Sequence, residues 1–407
     1  MDGTRLLTLP GGFRLAYTHA PGSTEFAGLT VNAGSRDELT PDVHGLAHMV
    51  EHTIFKGTPR RSDAYILNRM EAVGGELNAF TTKEETTVYT AAPAGNHRRS
   101  ADLIGELAAH ACFPARKMQL EREVIADEID SYLDSPAEAI YDSFDELMFA
   151  GNPLAHNILG TKESIAGISS ETCCGYLQRA FTRTNSVYFY LGPESEERVA
   201  ATVERALADL PLSGAPAART APQLAAGFSE RLDADRHQAH ALRGVPIGGL
   251  HDDNRAVNAL AVNILGGPGM NALLNLQLRE RRGLVYTVEA STALYSDCGL
   301  MTIYFGCDHD DLRRCLRLVS STLNRFADKQ LTPRALQAYK RQYLGQLTLA
   351  LDNKEQRAIN SARAMLHGLT PPSLAATAER LEAITPDMLR EAAERLASAP
   401  QRTLILC

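Results

Sequence analysis

Within the stretch His44–Phe55, the residues His48, Glu51 and His52 form the pattern H-x-x-E-H. On an α-helix, residues three and four apart lie on one face, so these three side chains project together. Two imidazoles one turn apart can hold a single zinc ion through nitrogens about 2.0–2.1 Å away. A carboxylate beside them can take a proton from a water activated there. An amphipathic helix with two hydrogen-bonded histidines would satisfy the same five residues, so the motif needs support from the rest of the chain. A catalytic zinc ordinarily takes a third protein ligand. His44 cannot join His52 in that role, because eight residues of helix span about 12 Å; it reads as a helix-entry residue. Residues 120–129 are dense in carboxylates, and Glu121 and Glu128, two turns apart, share a face. By themselves they read first as a solvated acidic face, and the residues alone leave the third ligand open.

The elements that must position these groups follow from periodicity. Residues 12–19 and 25–34 alternate as strands. Thr40-Pro41 offers a cap followed by proline as a helix entry, and Gly57-Thr58-Pro59 ends the motif helix. A helix at 63–73 stops at Gly74-Gly75; strands at 76–82 and 86–92 follow, then helices at 97–111 and 115–134. Pro136 breaks the pattern before a further helix through Phe149. Residues 169–181 are helical and 186–191 form a strand. Between Pro211 and Pro222, small residues and prolines mark a linker. Beyond it the order restarts, with a strand at 238–245, a helix at 252–265, glycines at 266, 267 and 269, and a helix at 270–282. Strands at 285–294 and 300–306 and long helices from 310 to 352 come next. Ile168-Ser-Ser-Glu171, a helix and a strand resemble Ile384-Thr-Pro-Asp387, a helix and Thr403–Leu406. The chain therefore reads as two copies of one α/β domain of about 200 residues, residues 1–212 and 224–407 with a linker at 213–223. Only the first copy carries the histidine motif.

Composition narrows the class. The 407 residues are 44% hydrophobic and 22% charged, which is ordinary for a globular chain and excludes disorder. No run approaches 18 uninterrupted apolar residues, so no membrane partner is expected. The first twelve residues read as strand and turn rather than an export signal. Seven scattered cysteines, never spaced C-x-x-C, fit a reducing compartment, and the expected location is the cytoplasm. The net charge of −8 divides into −12 over residues 1–212 and +4 over the remainder. An acidic chamber would favour basic peptides, and no basic stripe with interleaved aromatics points to nucleic acid.

Several separated motifs carry a resemblance. H-x-x-E-H followed by Phe55-Lys-Gly-Thr58, then Gly75-Glu-Leu-Asn78-Ala79-Phe80-Thr81, then Glu121, Val124-Ile125 and Glu128-Ile129, then Asn157-Ile-Leu-Gly160, resembles the pitrilysin superfamily. That superfamily includes insulin-degrading enzyme and the mitochondrial processing peptidase. In the second half, Leu265-Gly-Gly267, Leu278-Arg279 through Tyr286-Thr-Val288 and Tyr295–Gly299 resemble the same family's distal substrate-binding segment. Pro268 and Asn271-Ala-Leu-Leu274 depart from its usual small and polar run, which bears on fine specificity.

The resemblance implies an α+β fold of two tandem homologous domains, each a mostly antiparallel sheet packed with helices, forming half of a four-domain clamshell. It implies one Zn2+ per chain held by His48, His52 and Glu128, with Glu51 as general base. Glu121 would orient a ligand or help handle protons. Asn78, Ala79 and Phe80 would form the edge strand to which a peptide adds. Arg279 and Tyr286 would hold the substrate backbone, and Tyr286 would help to stabilise the oxyanion. The implied activity is that of a zinc endopeptidase acting on peptides or small unfolded proteins in a closed chamber. A homodimer would complete that chamber, or else a heterodimer with a homologous subunit. The competing readings are a non-catalytic, peptide-binding core subunit and a maturation protease dedicated to one precursor.

Overall fold

The computed structural model describes residues 3–38, 40–214, 218–232, 237–329, 331–371 and 373–407. The first half runs β1 (Thr4–Thr8), β2 (Arg14–His19), β3 (Thr24–Val31), α1 (Leu46–Thr53), α2 (Asp63–Glu71), β4 (Glu76–Thr81) and β5 (Thr86–Pro93). It continues through α3 (His97–His110), α4 (Ala115–Leu133), α5 (Pro136–Met148), α6 (Lys162–Gly167), α7 (Ser170–Ala180), β6 (Ser186–Gly192) and α8 (Glu196–Ala206). The second half begins with β7 (Phe228–Leu232), β8 (Ala239–Ile247), α9 (Arg255–Gly266), a π-helix (Asn275–Glu280), β9 (Val285–Leu294) and β10 (Gly299–Cys307). It ends with α10 (Leu312–Asp328), α11 (Pro333–Leu351), α12 (Lys354–Leu366), α13 (Leu374–Glu382), α14 (Pro386–Ser398) and β11 (Arg402–Leu406).

Two sheets result, ordered β1-β2-β6-β3-β5-β4 and β7-β11-β8-β10-β9. With β1 set aside, the orders correspond strand for strand. In each sheet the half's last strand lies parallel to its first (β2 with β6, β7 with β11), and the remaining pairings are antiparallel. The α+β class and the internal duplication hold at the level of topology.

The two compact units nevertheless are not the continuous halves expected. The first unit comprises residues 1–131, 156–220 and 350–373; the second comprises 132–155, 221–349 and 374–407. Helix α12, encoded in the second half, packs on β2, β3 and β6 of the first sheet, where Ala358, Ile359 and Ala362 bury against Ala16, Val187, Phe189 and Leu191. Helix α5, encoded in the first half, packs on β8 and β11 of the second sheet, with Ile140, Phe144 and Met148 against Leu242, Leu300 and Leu404. Gly244 of β8 makes room for this, since a Cβ there would stand 2.2 Å from the Phe144 ring. Because β8 corresponds to β3 and β11 to β6, the halves exchange equivalent helices over equivalent strands.

Other differences are local. Residues 215–217 of the expected linker lie outside the described residues, but Arg219 and Thr220 belong to the first unit. Arg219 donates to both carboxylate oxygens of Asp37 and to Asn32, and Arg36 donates to the Thr220 carbonyl. The helix expected at 270–282 is regular only as the π-helix. The long helical stretch from 310 divides into α10 and α11, and residue 330 between them lies outside the described residues. Strand β7 and helices α6, α8, α12 and α13 were not expected. Among the described residues no helix is long and apolar enough to cross a membrane.

The borrowed helix α12 is anchored by charge as well as by packing. Glu85, buried in the β4–β5 turn, accepts from His367 Nε2 at 2.8 Å and pairs with Arg363 Nε at 2.5 Å. Burial pushes the Glu85 carboxyl up, but the His367 hydrogen bond and the Arg363 charge together outweigh it, so its pKa lies below the ordinary value. A folded-state pKa depressed in this way adds stability above the unfolded value of about 4.3 and loses it as pH falls through the lower folded value. Glu85→Gln should therefore cost about 1–3 kcal/mol at pH 7. The gap from the parent should close as pH drops below the carboxylate range, read by denaturant unfolding at each pH. A gap independent of pH would remove charge from the account.

Candidate metal centre

Helix α1 presents the motif, and its entry is set by backbone rather than by the expected Thr40-Pro41 cap. Residues 41–43 make only a short 3-10 turn. The helix starts after Gly45, whose φ of 88° is left-handed and favours glycine. A Cβ on Gly45 would lie 2.6 Å from the Leu159 carbonyl, and one on Gly160 would lie 2.3 Å from that of His44. The segment Asn157–Gly160 thus fits against the helix entry, and Ser164 Oγ donates to the His44 carbonyl at 2.7 Å. Two amides at the helix start are held by Glu38, which accepts from Gly45 N at 2.8 Å and Ala47 N at 2.7 Å. His156 Nε2 stands 3.0 Å from the same carboxylate, and its ring stacks on His44 at 3.7 Å. His44 therefore shapes the helix entry and does not face the centre.

Helix α4 supplies the carboxylates. Met118, Ile125 and Ile129 bury one of its faces, and Arg122 donates to the carbonyls of Ile165 and Ile168. These contacts set the helix's rotation and turn Glu121 and Glu128 toward α1. Glu128 Oε2 lies 3.7 Å from His48 Nε2 and 3.5 Å from His52 Nε2. Glu121 Oε2 lies 3.2 Å from the other nitrogen of His52, Nδ1, while its Oε1 pairs with Lys56 Nζ at 2.5 Å. One ligand atom each from His48, His52 and Glu128 falls within 4.8 Å of the others, the one such cluster of three or more among the described residues.

The donor set fits zinc. Tetrahedral bonds of about 2.0–2.1 Å place neighbouring ligand atoms about 3.3 Å apart, close to the separations here. Burial, then the charge of His52, lowers the His48 pKa to about 3, which keeps the imidazole in the neutral form that binds a metal. Two imidazole nitrogens and one carboxylate oxygen are the mixed set that zinc accepts.

Glu51 is half-buried, and burial raises its carboxyl above the usual range. Thr81, at the end of β4, and His52 pull the other way, while Glu128 adds to the rise. Strand β4 is the edge of the first sheet and pairs only with β5, through Asn78 with Tyr89, Ala79 with Val88 and Phe80 with Thr87. The strand is in contact with the motif helix. Asn78, Ala79 and Phe80 thus occupy the edge strand as expected, and Phe80 sets its ring edge-on to Tyr89.

Arg279 and Tyr286 belong to the second unit, on the π-helix and at the start of edge strand β9. Both side chains are exposed, Tyr286 at 73%, and neither has a hydrogen-bond or ion-pair partner among the described residues. Sequence reasoning missed Glu38, His156, Lys56 and Thr81. Lys56 had a local signal, being one turn after His52, and Thr81 directly follows Phe80. Glu38 and His156 had none.

Residues 14–162 match the family model for insulinase (peptidase family M16), and residues 167–343 match that for the peptidase M16 inactive domain. An uncharacterized zinc protease of Streptomyces coelicolor is 30% identical over 398 residues, covering 92% of this chain and 86% of that protein. The uncharacterized zinc protease YmxG of Bacillus subtilis is 28% identical, covering 86% and 85%. Among solved structures, a peptidase M16 inactive domain from Pseudomonas fluorescens superposes with a TM-score of 0.92 at 17% identity, over 100% of this chain and 98% of that one. A protease from Helicobacter pylori superposes with a TM-score of 0.90 at 16% identity, over 99% of both chains. The histidine motif lies in the segment matching the first model, and its absence from the second half accords with the description of the second. On these grounds the chain belongs to peptidase family M16, in the pitrilysin-type superfamily of zinc proteases.

Proposed function

We propose that the chain is a zinc endopeptidase that hydrolyses extended peptides, with His48, His52 and Glu128 as metal ligands and Glu51 as the proton-transferring base. The observation that supports it best is the convergence of those three ligand atoms beside a half-buried glutamate and an open sheet edge. Zinc, when bound, supplies a Lewis acid that polarises a carbonyl and lowers the pKa of water to about 7. Glu51 takes the proton from the attacking water and returns it to the leaving amine. Its raised pKa makes the carboxylate a better base and brings the group nearer the working pH, where it can both take and return a proton. Glu121 accepts the Nδ1–H of His52, which turns the Nε2 lone pair toward the centre, and Lys56 holds Glu121 in place. The substrate adds to β4 as an antiparallel strand through main-chain hydrogen bonds along Asn78–Phe80. Only an unfolded segment can do so, which favours peptides over folded proteins.

A second copy of the chain completes the chamber in this reading, and its Arg279 and Tyr286 take hold of the substrate backbone. The solvent exposure of both side chains, with no partner among the described residues, supports that role.

Glu51→Gln should keep one zinc per chain by atomic emission and lose about 10²–10⁴-fold in turnover of a mixed peptide library; near-parent activity would remove Glu51 from the chemistry. Glu128→Gln should fail to retain zinc through dialysis. Glu121→Gln should lose about 10–100-fold in zinc affinity or activity. Full occupancy in Glu128→Gln would exclude it as a ligand. Sedimentation at micromolar concentration should give a dimer, and a monomer that cleaves peptides would overturn the two-copy chamber.

A further inference from the structure

The second unit contains a cavity of about 170 Å³ that takes no part in the metal centre. Leu273, Phe326, Leu331 and Tyr339 give it an apolar lining, and the end of helix α10 forms one wall. Its charged groups are both cations, and Gln277, Thr322 and the Tyr339 hydroxyl complete the polar lining. Arg325 and Lys329, one turn apart, stand at its rim, and no aspartate or glutamate lines it. Neither cation has a carboxylate partner. Arg325 reaches only the Ser321 carbonyl at 3.2 Å and Thr322 Oγ1 at 3.5 Å, and Lys329 has no side-chain partner among the described residues.

Gln277 is 9% exposed, and its Oε1 accepts from Arg282 at 3.0 Å. Its amide nitrogen has no partner among the described residues and is free to donate to a ligand. Basic side chains in the last turn of a helix also complement its dipole. That effect accounts for the charge at this end of α10. It does not account for a cavity there, for the open Gln277 amide, or for a lining without a single acid.

We propose that this cavity binds a small monocarboxylate with an apolar body, its carboxylate held by Arg325, Lys329 and the Gln277 amide. The size is suitable, because an apolar cavity of about 150 Å³ admits benzene. The same chemistry is offered by a free organic acid and by the C-terminal carboxylate of a peptide ending in an apolar residue. The inference does not depend on the peptidase reading, since it concerns binding alone.

Calorimetric titration of the zinc-loaded chain with benzoate and with benzamide tests it. Benzoate should bind in the millimolar range, as about nine heavy atoms allow, and at least tenfold more tightly than benzamide. The double variant Arg325→Gln/Lys329→Gln changes only exposed side chains, so it should keep the parent's thermal midpoint and lose at least tenfold in benzoate affinity. Gln277→Glu, which sets a like charge against the ligand, should lose as much. Equal binding of acid and amide, no binding at tens of millimolar, or benzoate binding unchanged in the double variant (which would place it at the metal centre) would each overturn the proposal. Gly-Gly-Gly-Phe with a free or amidated C-terminus separates the sources in the Glu51→Gln background. Binding of the free-acid peptide that the double variant loses assigns a peptide C-terminus, and benzoate binding without it assigns a free acid.

Discussion

Glu128 Oε2 and His52 Nε2 lie 3.5 Å apart across seventy-six residues of chain, and the first unit is built around keeping that distance. The short helix α1 cannot hold its own position, because eight residues form too few turns to be stable alone. Its first turn is held by the Glu38 carboxylate, its entry by the backbone of residues 157–160, and its buried face by Leu46, Met49 and Val50. Helix α4 is longer and is fixed in rotation by Arg122. A small rotation of either helix would separate the nitrogens from the carboxylate.

The β4–β5 turn shows how much polar chemistry this arrangement uses. Thr82-Lys83-Glu84-Glu85 has the composition of a solvent loop, yet Lys83, Glu84 and Glu85 are all buried. Lys83 donates to the His156 carbonyl, Glu84 accepts from Arg36 at 2.6 Å, and Glu85 meets His367 and Arg363. Each charge is taken out of water only against an opposite charge or a hydrogen bond, as burial demands. Three distant segments thereby grip the hairpin whose adjoining residue, Thr81, acts on Glu51. The edge strand beside the centre is therefore rigid at one end and open along its length.

Much of this was legible in the sequence wherever the information is local. The 3.6-residue period places His48, Glu51 and His52 together, and the same period puts Glu121 and Glu128 on one face. Alternation locates most strands within a residue or two. What escaped depends on contacts far apart in the chain. The helix begins at Gly45 rather than Thr40 because Gly160 and Glu38 meet it there, and neither has a spacing that announces the fact. The π-helix was read as an ordinary helix, since apolar periodicity over 270–282 does not distinguish the two. Nothing in residues 136–148 or 354–366 reveals that each covers the other half's sheet, because an amphipathic helix specifies an apolar partner but not which one.

That exchange bears on how such a protein can have arisen and how it can be taken apart. The backbone passes between the units five times, at residues 131/132, 155/156, 220/221, 349/350 and 373/374. A single ancestral copy of the half-length gene would have left its sheet bare over the strands that α5 or α12 now cover. Such an ancestor would have needed a twin, each lending the other a helix, and fusion of two copies would then have made permanent an arrangement first reached by two separate chains. By the same logic the gene cannot be cut at the linker into two independent folding units, yet the two fragments made together retain every piece needed to reassemble.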